Sequence, residues 1–545
     1  MKINNYLTTG VSVLALAALG SFAAGASAHP IYYPYKAGTT PISPNRPLHH
    51  VGPYEAPYVD KNPKTQSGTW ADVSGTLPFA DGPWGPMQMT DGTVLVQDYC
   101  TSPSQWYKLT PDSKGNYSDG TWSAIATLPS GYSPLFSAQQ VLTDGRVIIN
   151  GGEYNDCSGD WTNKGALYDP VANSWTSVTA PTGWSSIGDA ESIILPDGSY
   201  MLADCCDEPG EDAIASISGT TVTWKTGDSY YYNDEEGYTA LPNGDVLQVD
   251  VWNHGSNYDD VELYDTAKGT WSLVGKTADY LSSSSTFELG AAALTPAGPK
   301  GGTIFQYSAN TTLGVNDIYS VKSKTWSSGP VMKVSGTIYD CADAPAATLP
   351  DGNVLVQASP GTFDTPSHFW EFSISKKGAV KATQVNDTNE ASATSSFEGN
   401  LLVLPTGQVL WDDSQTSPSE VALYTPQGSP EAKWLPVVTS VSSTLTIGST
   451  GNAISGTSFN GWDLGGVYGD DAQAATNFPL VRITNTKSGD VCFGRSYDFS
   501  TMGVWTKGTT SAEFDLPSTC KAGPGTLQVI VNGIASAGTS VTLSS

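Results

Sequence analysis

A short turn-and-strand unit recurs along this chain, and nothing else in it constrains the fold as strongly. Leu349-Pro350-Asp351-Gly352 leads into Asn353-Val354-Leu355-Val356. An Asp-Gly pair supplies the positive φ that a two-residue hairpin needs, and the apolar run after it has strand character. Thr90-Asp91-Gly92 stands before Val94-Leu95-Val96, Thr143-Asp144-Gly145 before Val147-Ile148-Ile149, and Pro196-Asp197-Gly198 before Tyr200-Met201-Leu202. Pro242-Asn243-Gly244, Pro405-Thr406-Gly407 and a degenerate Thr295-Pro296-Ala297-Gly298 continue the series. Seven copies at a period of roughly 50 residues is the spacing of propeller blades.

A second landmark recurs with the first. Gly120-Thr121-Trp122 and Gly269-Thr270-Trp271 match Gly68-Thr69-Trp70, with looser copies at Asn173-Ser174-Trp175, Thr223-Trp224 and Lys324-Thr325-Trp326. They follow strands carrying an aromatic, such as Leu167-Tyr168-Asp169. Each blade therefore reads as four strands: an inner one before the turn, a Val-Leu-Val-like second, a Tyr-bearing third and an outer one that starts with Trp. The blades run 80–128, 131–179, 184–226, 232–276, 285–330, 338–386 and 394–435. The first Gly-Thr-Trp precedes any inner strand, so it is expected to supply the outer strand of the last blade and close the ring, a place for which Trp434 competes. The outer-strand tryptophans read as packing between blades.

The flanks differ from this repeat. Residues 1–28 read as a secretory signal peptide, with Lys2, an apolar stretch over 11–25 and an Ala26-Ser27-Ala28 cleavage site. The apolar run is short and no second one follows, which argues against a membrane span. The expected location is secreted or periplasmic. Cleavage would leave His29 as the amino terminus, with His49 and His50 the nearby candidates for a copper-chelating partner. A coincidence at a cleavage site is the plainer reading. Residues 29–66, rich in Pro and Tyr, read as an extended arm. The propeller spans 67–435, and 436–545 reads as a small Ig-like β-sandwich with strands at 454–459, 480–483 and 525–533. The fold class is all-β throughout.

Charge and cysteines bound the partners. A formal net charge of -28 leaves no Lys/Arg cluster to meet phosphates, which excludes nucleic acid and anionic membranes. It suits a soluble monomer with an acidic surface, or service at low pH. Export makes disulfides expected among the seven cysteines, and the odd count leaves one over. Cys492 and Cys520 fall in one small sandwich and are expected to bond. Cys100 and Cys157 come from equivalent loops of adjacent blades and could pair, Cys205-Cys206 is either vicinal or reaches neighbouring loops, and Cys341 is the candidate free thiol. No CxxC pair supports a zinc ribbon.

Blade period, Asp-Gly turns and trailing Trp resemble the kelch family, and a kelch propeller followed by an Ig-like domain resembles the galactose-oxidase-like group. That resemblance implies a copper-radical site of two tyrosines, two histidines and a cysteine cross-linked to tyrosine, one histidine coming from the C-terminal domain. Here no histidine lies beyond His368; Cys341 stands where the cross-linked cysteine would, and Phe397 where its tyrosine is expected. A phenyl ring neither ligates copper nor forms the thioether radical, so the copper site is not supported.

Carboxylates instead mark the channel mouth. Asp189, Glu235, Asp343 and Glu398 each lie nine residues before a turn glycine, and Glu288 ten before Gly298. A shared offset on equivalent strands means a shared height and side. The same offset gives Phe136 and Pro83 in the first two blades, so the ring is acidic on one arc only. Clustered carboxylates repel and raise some pKa values, which is how an acid/base pair for glycoside hydrolysis is made. They equally suit Ca²⁺, or a wet acidic channel holding water. Trp252, His254 and His368 sit in loops on that face, where the histidines suit proton transfer or simply the surface. Tyr99, Tyr154 and Trp252, taken as exposed, suit stacking on sugar rings. No GxSxG, HExxH or phosphate loop appears. Two functions remain open: an enzyme on extracellular carbohydrate, hydrolase or lyase, and a non-catalytic glycan- or protein-binding protein.

Overall fold

The computed structural model describes residues 68–545 apart from 103, 206–210, 228–232, 284–285 and 415–418. The segments read as a signal peptide and a Pro/Tyr-rich arm, and Cys206, lie outside the described residues. Within them the chain is all-β, with two short 3-10 turns and no α-helix.

The repeat folds as successive antiparallel sheets. The first orders Pro83–Gln88, Val94–Asp98, Trp106–Thr110 and Thr121–Ala124 from inner to outer edge. The same order recurs in sheets whose inner strands are Ala138–Val141, Ser192–Ile194, Thr239–Ala240, Ala292–Thr295, Ala346–Thr348 and Gly399–Val403. The last sheet takes its outer strand from the start of the repeat: Gly68–Asp72 pairs with Val421–Pro426, Trp70 opposite Tyr424. Trp434 is not in that strand; its ring lies under the Gly352 turn. These curled sheets are those of a β-propeller.

The turns differ from the expected two-residue type. The Gly92 N–H donates to Met89 O and the Met89 N–H to Thr93 O, leaving three residues in the loop. Gly92 has φ +80°, and Asp91 is not among the positive-φ residues. A type I turn followed by one left-handed residue has this pattern, so the glycine serves as the bulge position, not as the second residue of a primed turn. The Asp91 carboxylate accepts from Thr93 N, and Asp144, Asp197 and Asp351 do the same two residues on. That local bond is why Asp recurs before Gly.

The outer-strand tryptophans tie sheet to sheet. The Trp175 indole N–H donates to Ala126 O, that of Trp224 to Thr179 O, and that of Trp70 to Asn386 O, each acceptor lying just after the outer strand of the preceding sheet. Trp175→Phe keeps most of the ring and removes one such bond. It is expected to cost about 1 kcal/mol, read as a lower urea midpoint at unchanged slope.

From Val437–Val441 onward the chain forms a separate β-rich unit. Val491–Tyr497 pairs with Leu480–Asn485 through residues 491–494 and with Thr510–Asp515 through 495–497, so one strand serves two sheets. Cys492–Cys520 is bonded, as is Cys100–Cys157, and Cys341 is free and buried. This unit sits on the turn face. The N–H groups of Ser496, Phe499 and Met502 donate to the carbonyls of Thr90, Thr143 and Pro196, all turn residues.

One hairpin of this unit enters the propeller axis. Gly466–Val467 adds to the inner strand Ala346–Thr348, with Gly466 opposite Ala347 and Val467 opposite Ala346. The Thr348 N–H donates to Gly465 O below, and above it a Cβ on Gly469 would lie 3.0 Å from Asp343 Cα. Residues 465–469 therefore climb from the turn face to the opposite mouth, and a Gly465–Ala475 bridge closes the hairpin. The hairpin thus occupies the axial side of these inner strands.

Candidate functional site

The inner strands of the second to sixth sheets are each entered through a tight bend at the mouth. Phe136, Glu235, Phe287 and Asp343 take φ of 50°, 62°, 64° and 45°, and Gly188 takes 70°. Non-glycine residues rarely adopt this region, and their recurrence at one height marks a shared device that turns side chains towards the axis.

Glu235 and Asp343 meet a third carboxylate that arrives on the hairpin. One oxygen each from Glu235, Asp343 and Asp470 lies within 4.8 Å of the others, and all three residues are buried. The Asp470 side chain accepts from Asp471 N at 2.8 Å, and its carbonyl accepts from Gln473 Nε2 at 2.6 Å, which fixes the hairpin tip. Tyr468, one turn below, donates its phenol to Phe397 O at 2.7 Å and packs edge-on against Trp84. Burial, and then the charges of Asp343, Asp471, Asp470 and Glu288, hold that phenol far above its ordinary pKa. Tyr468 is thus a neutral donor among carboxylates.

The structure distributes the other expected residues. Glu288 belongs to the same surroundings through Tyr468 and is fully buried. Glu398 turns elsewhere: it accepts from Ser395 N at 2.8 Å, and burial followed by the Asp413 charge pushes its carboxyl up to about 8. Asp189 lies 3.2 Å from Cys205 Sγ and groups with Asp234. Cys205 is disulfide-bonded, so its sulfur is no thiolate ligand. Of the five acids, Glu235, Asp343 and Glu288 thus share the surroundings of Tyr468 and Asp470, Asp189 lies with Asp234, and Glu398 lies with Ser395 and Asp413.

The loop aromatics and histidines are mostly structural. Tyr99 and Tyr154 are buried at 3% and 6% exposure, packed with Trp84 and Phe136, which corrects their reading as exposed sugar platforms. Trp252 stacks on Phe287 at 4.3 Å and donates to Asp234 O, joining the residues next to Glu235 and Glu288. His254 is exposed against Tyr280, whereas His368 is buried and pairs with Asp387 at 2.8 Å. They engage separate partners. Cys341 packs against Gly290 and donates its N–H to Ser308 O, while Phe397 packs on Phe363.

Sequence reasoning missed Tyr468, Asp470 and Asp471. A signal was present: Gly465-Gly466-Val467-Tyr468-Gly469-Asp470-Asp471 pairs small residues, suited to close backbone approach, with adjacent acids.

With this geometry in view, comparison with known proteins fixes the fold more firmly than the chemistry. No family model matches the chain. Over 135 residues it is 28% identical to the Kelch-like protein terF of Aspergillus terreus (strain NIH 2624 / FGSC A1156), a match to 24% of this chain and 26% of that relative. The chain thus spans about a quarter of that curated relative's length. Among solved structures it is similar to a copper complex described as a novel fungal alcohol oxidase with catalytic diversity among the AA5 family. The TM-score is 0.50 at 14% identity, over 88% of this chain and 100% of that one. The chain has a kelch-like, galactose-oxidase-like β-rich fold. The copper and the alcohol-oxidase activity belong to the neighbour.

Proposed function

We propose that this is an exported, seven-bladed propeller protein with a C-terminal Ig-like sandwich. In this reading it acts on extracellular carbohydrate, as hydrolase or lyase, through the carboxylates at its channel mouth. The observation that carries the reading is the meeting of Glu235, Asp343 and Asp470 within 4.8 Å, from two propeller loops and an inserted hairpin. Three anions so close repel, and only shared protons or a hard cation relieves them. Oxygens at this spacing suit one Ca²⁺, whose ligands stand about 2.3–2.6 Å from the ion and hence about 5 Å apart across it. Ca²⁺ would supply positive charge to orient a sugar oxygen or carboxylate. With the cation held, the three carboxylates would stay ionised, so Glu235 or Asp343 would accept a proton as base, and the neutral Tyr468 phenol would be the donor beside them.

The four-stranded sheets and the shared outer strand support the blade count, and the strand common to two sheets supports the sandwich. Two disulfides support export. A copper-radical site does not fit these residues: the converging groups are hard carboxylates, and Cys341 and Phe397 have different neighbours.

The test incubates the full chain with a panel of neutral and acidic polysaccharides, in Ca²⁺ or in chelator, reading new reducing ends and the absorbance of unsaturated products. Turnover in Ca²⁺ is expected to fall about 10²–10⁴-fold in Glu235→Gln and Asp343→Asn. Full activity in both variants would remove the site assignment. Binding without turnover would favour the non-catalytic glycan-binding reading.

A further inference from the structure

A second site lies away from the carboxylates. Between the outer strands Thr270–Lys276 and Thr325–Val334 of the fourth and fifth sheets is a groove of about 670 Å³, with the C-terminal unit as its third wall. That is the size of a small-molecule site. We propose that it binds an anionic amphiphile: an apolar body, with the bulk of a medium-chain acyl group, carrying one carboxylate or sulfonate head.

The walls argue for the apolar body. Leu263, Val274, Val321, Trp326 and Trp505 line the groove. Val274 is 49% exposed, one of few large apolar side chains so open among the described residues. These three aliphatic side chains and two indoles reward an acyl chain or ring by area removed from water. Trp505 is fixed in advance. Its indole N–H donates to Trp462 O at 2.6 Å, its backbone N–H to Gly461 O at 3.0 Å, and its ring meets Trp462 edge-on at 5.0 Å.

The rim argues for the negative charge. Lys276, Lys324 and Lys507 line the groove and are exposed. The chain has 25 Lys and Arg against 53 Asp and Glu, so three lysines at one opening form a local reversal of sign. Lys276 is engaged, over the Tyr258 ring at 3.6 Å and 3.9 Å from Asp260. Among the described residues Lys324 and Lys507 make no ion pair. Asp245, the acid in the lining, accepts instead from Thr266 N and Asn243 Nδ2.

The backbone adds an independent observation. Trp505 and Lys324 both have positive φ, 57° and 54°. Lys324 closes a turn in which its N–H donates to Ser320 O, as that of Gly269 does to Asp265 O in the neighbouring sheet. The neighbouring turn uses glycine, at no steric cost. Here a lysine bears the strain, and strain held by its surroundings gathers at ligand sites.

The experiment measures binding of dodecanoate to the full chain by calorimetry and by displacement of anilinonaphthalene sulfonate, with dodecyltrimethylammonium and trigalacturonate as comparisons. One dodecanoate per chain is expected, with no binding of the cationic amphiphile. Lys324→Glu with Lys507→Glu should weaken dodecanoate about tenfold or more. Val274→Asp, on an exposed strand face, should do so at an unchanged melting temperature. Equal binding of the cationic amphiphile, or unchanged affinity in both variants, would overturn the proposal. So would tighter binding of trigalacturonate, which would make the site one for sugar acids.

Discussion

Unfolded by urea across a pH series, the chain is expected to be most stable in mild acid, near the ordinary Asp and Glu values of 3.8 and 4.5, and to weaken steadily towards pH 8. Burial is the first cause throughout. It pushes the Glu262 carboxyl up to about 8, helped by Asp250 and Asp260, and Asp317, Asp340, Glu398 and Asp463 likewise to about 8. In the folded chain these groups keep their protons to higher pH than in the unfolded chain. Below the unfolded values both states are protonated and nothing is lost. Between those values and about 8 the unfolded state ionises first, so stability falls as pH rises. A tenfold weaker acid is worth about 1.4 kcal/mol, and five such groups bear on a total stability of about 5–15 kcal/mol. A fall of at least about 3 kcal/mol from pH 5 to pH 8 is therefore expected.

A smaller opposing effect appears below pH 4. The Lys114 ammonium, and then that of Lys521, hold the Asp490 carboxyl well below its usual range, so this surface contact between propeller and C-terminal unit weakens as pH falls. Constant or rising stability between pH 5 and 8 would mean that the buried carboxyls are ionised and compensated.

Gly466→Ala is expected to lower stability by about 3 kcal/mol and to remove Ca²⁺-dependent turnover with it. A Cβ there would lie 2.3 Å from Leu401 O, a backbone atom of the last sheet, and 3.1 Å from the Ala474 Cβ. Neither is a flexible side-chain tip, so the hairpin must shift, and Asp470 leaves Glu235 and Asp343. Gly275→Ala is the control. Its Cβ would meet nothing within 4 Å, and a change within about 0.5 kcal/mol is expected. If Gly466→Ala unfolds with the same urea midpoint as the parent, the close approach is not a constraint.

The fold was legible because its determinants are local. Asp-Gly turns and Gly-Thr-Trp starts act within a few residues, so a repeat shows them in plain view. Even the shared last sheet followed from a Gly68-Thr69-Trp70 with no inner strand before it. The turn subtype was misread because Gly92 acts one position later than in a primed turn, a difference that depends on Met89–Thr93 pairing and not on residue type. The site was legible only by halves. A constant offset found Glu235 and Asp343, since equivalent strands share a height. It could not find Asp470, which reaches them from a different unit across more than a hundred residues of chain. Nor could it foresee that Tyr99 and Tyr154 fill the apolar half of the mouth, because loop aromatics look alike whether they face inwards or outwards.

The outer strand of the last sheet sets a timetable for biogenesis. Asp72 has no partner until Ala422 has been made, about 350 residues later. At about 5–20 residues per second, that edge waits for about 20–70 s with its backbone donors and acceptors unmatched. The first six sheets can form as they emerge, yet none of the axis is closed until both ends of the repeat meet. The hairpin at 464–476 follows later still, so the carboxylate site is assembled only after the last sheet of the repeat has been made. A chain halted anywhere before residue 421 would carry an open arc with two sticky rims, a species for holdase chaperones to shield until the rims can find each other.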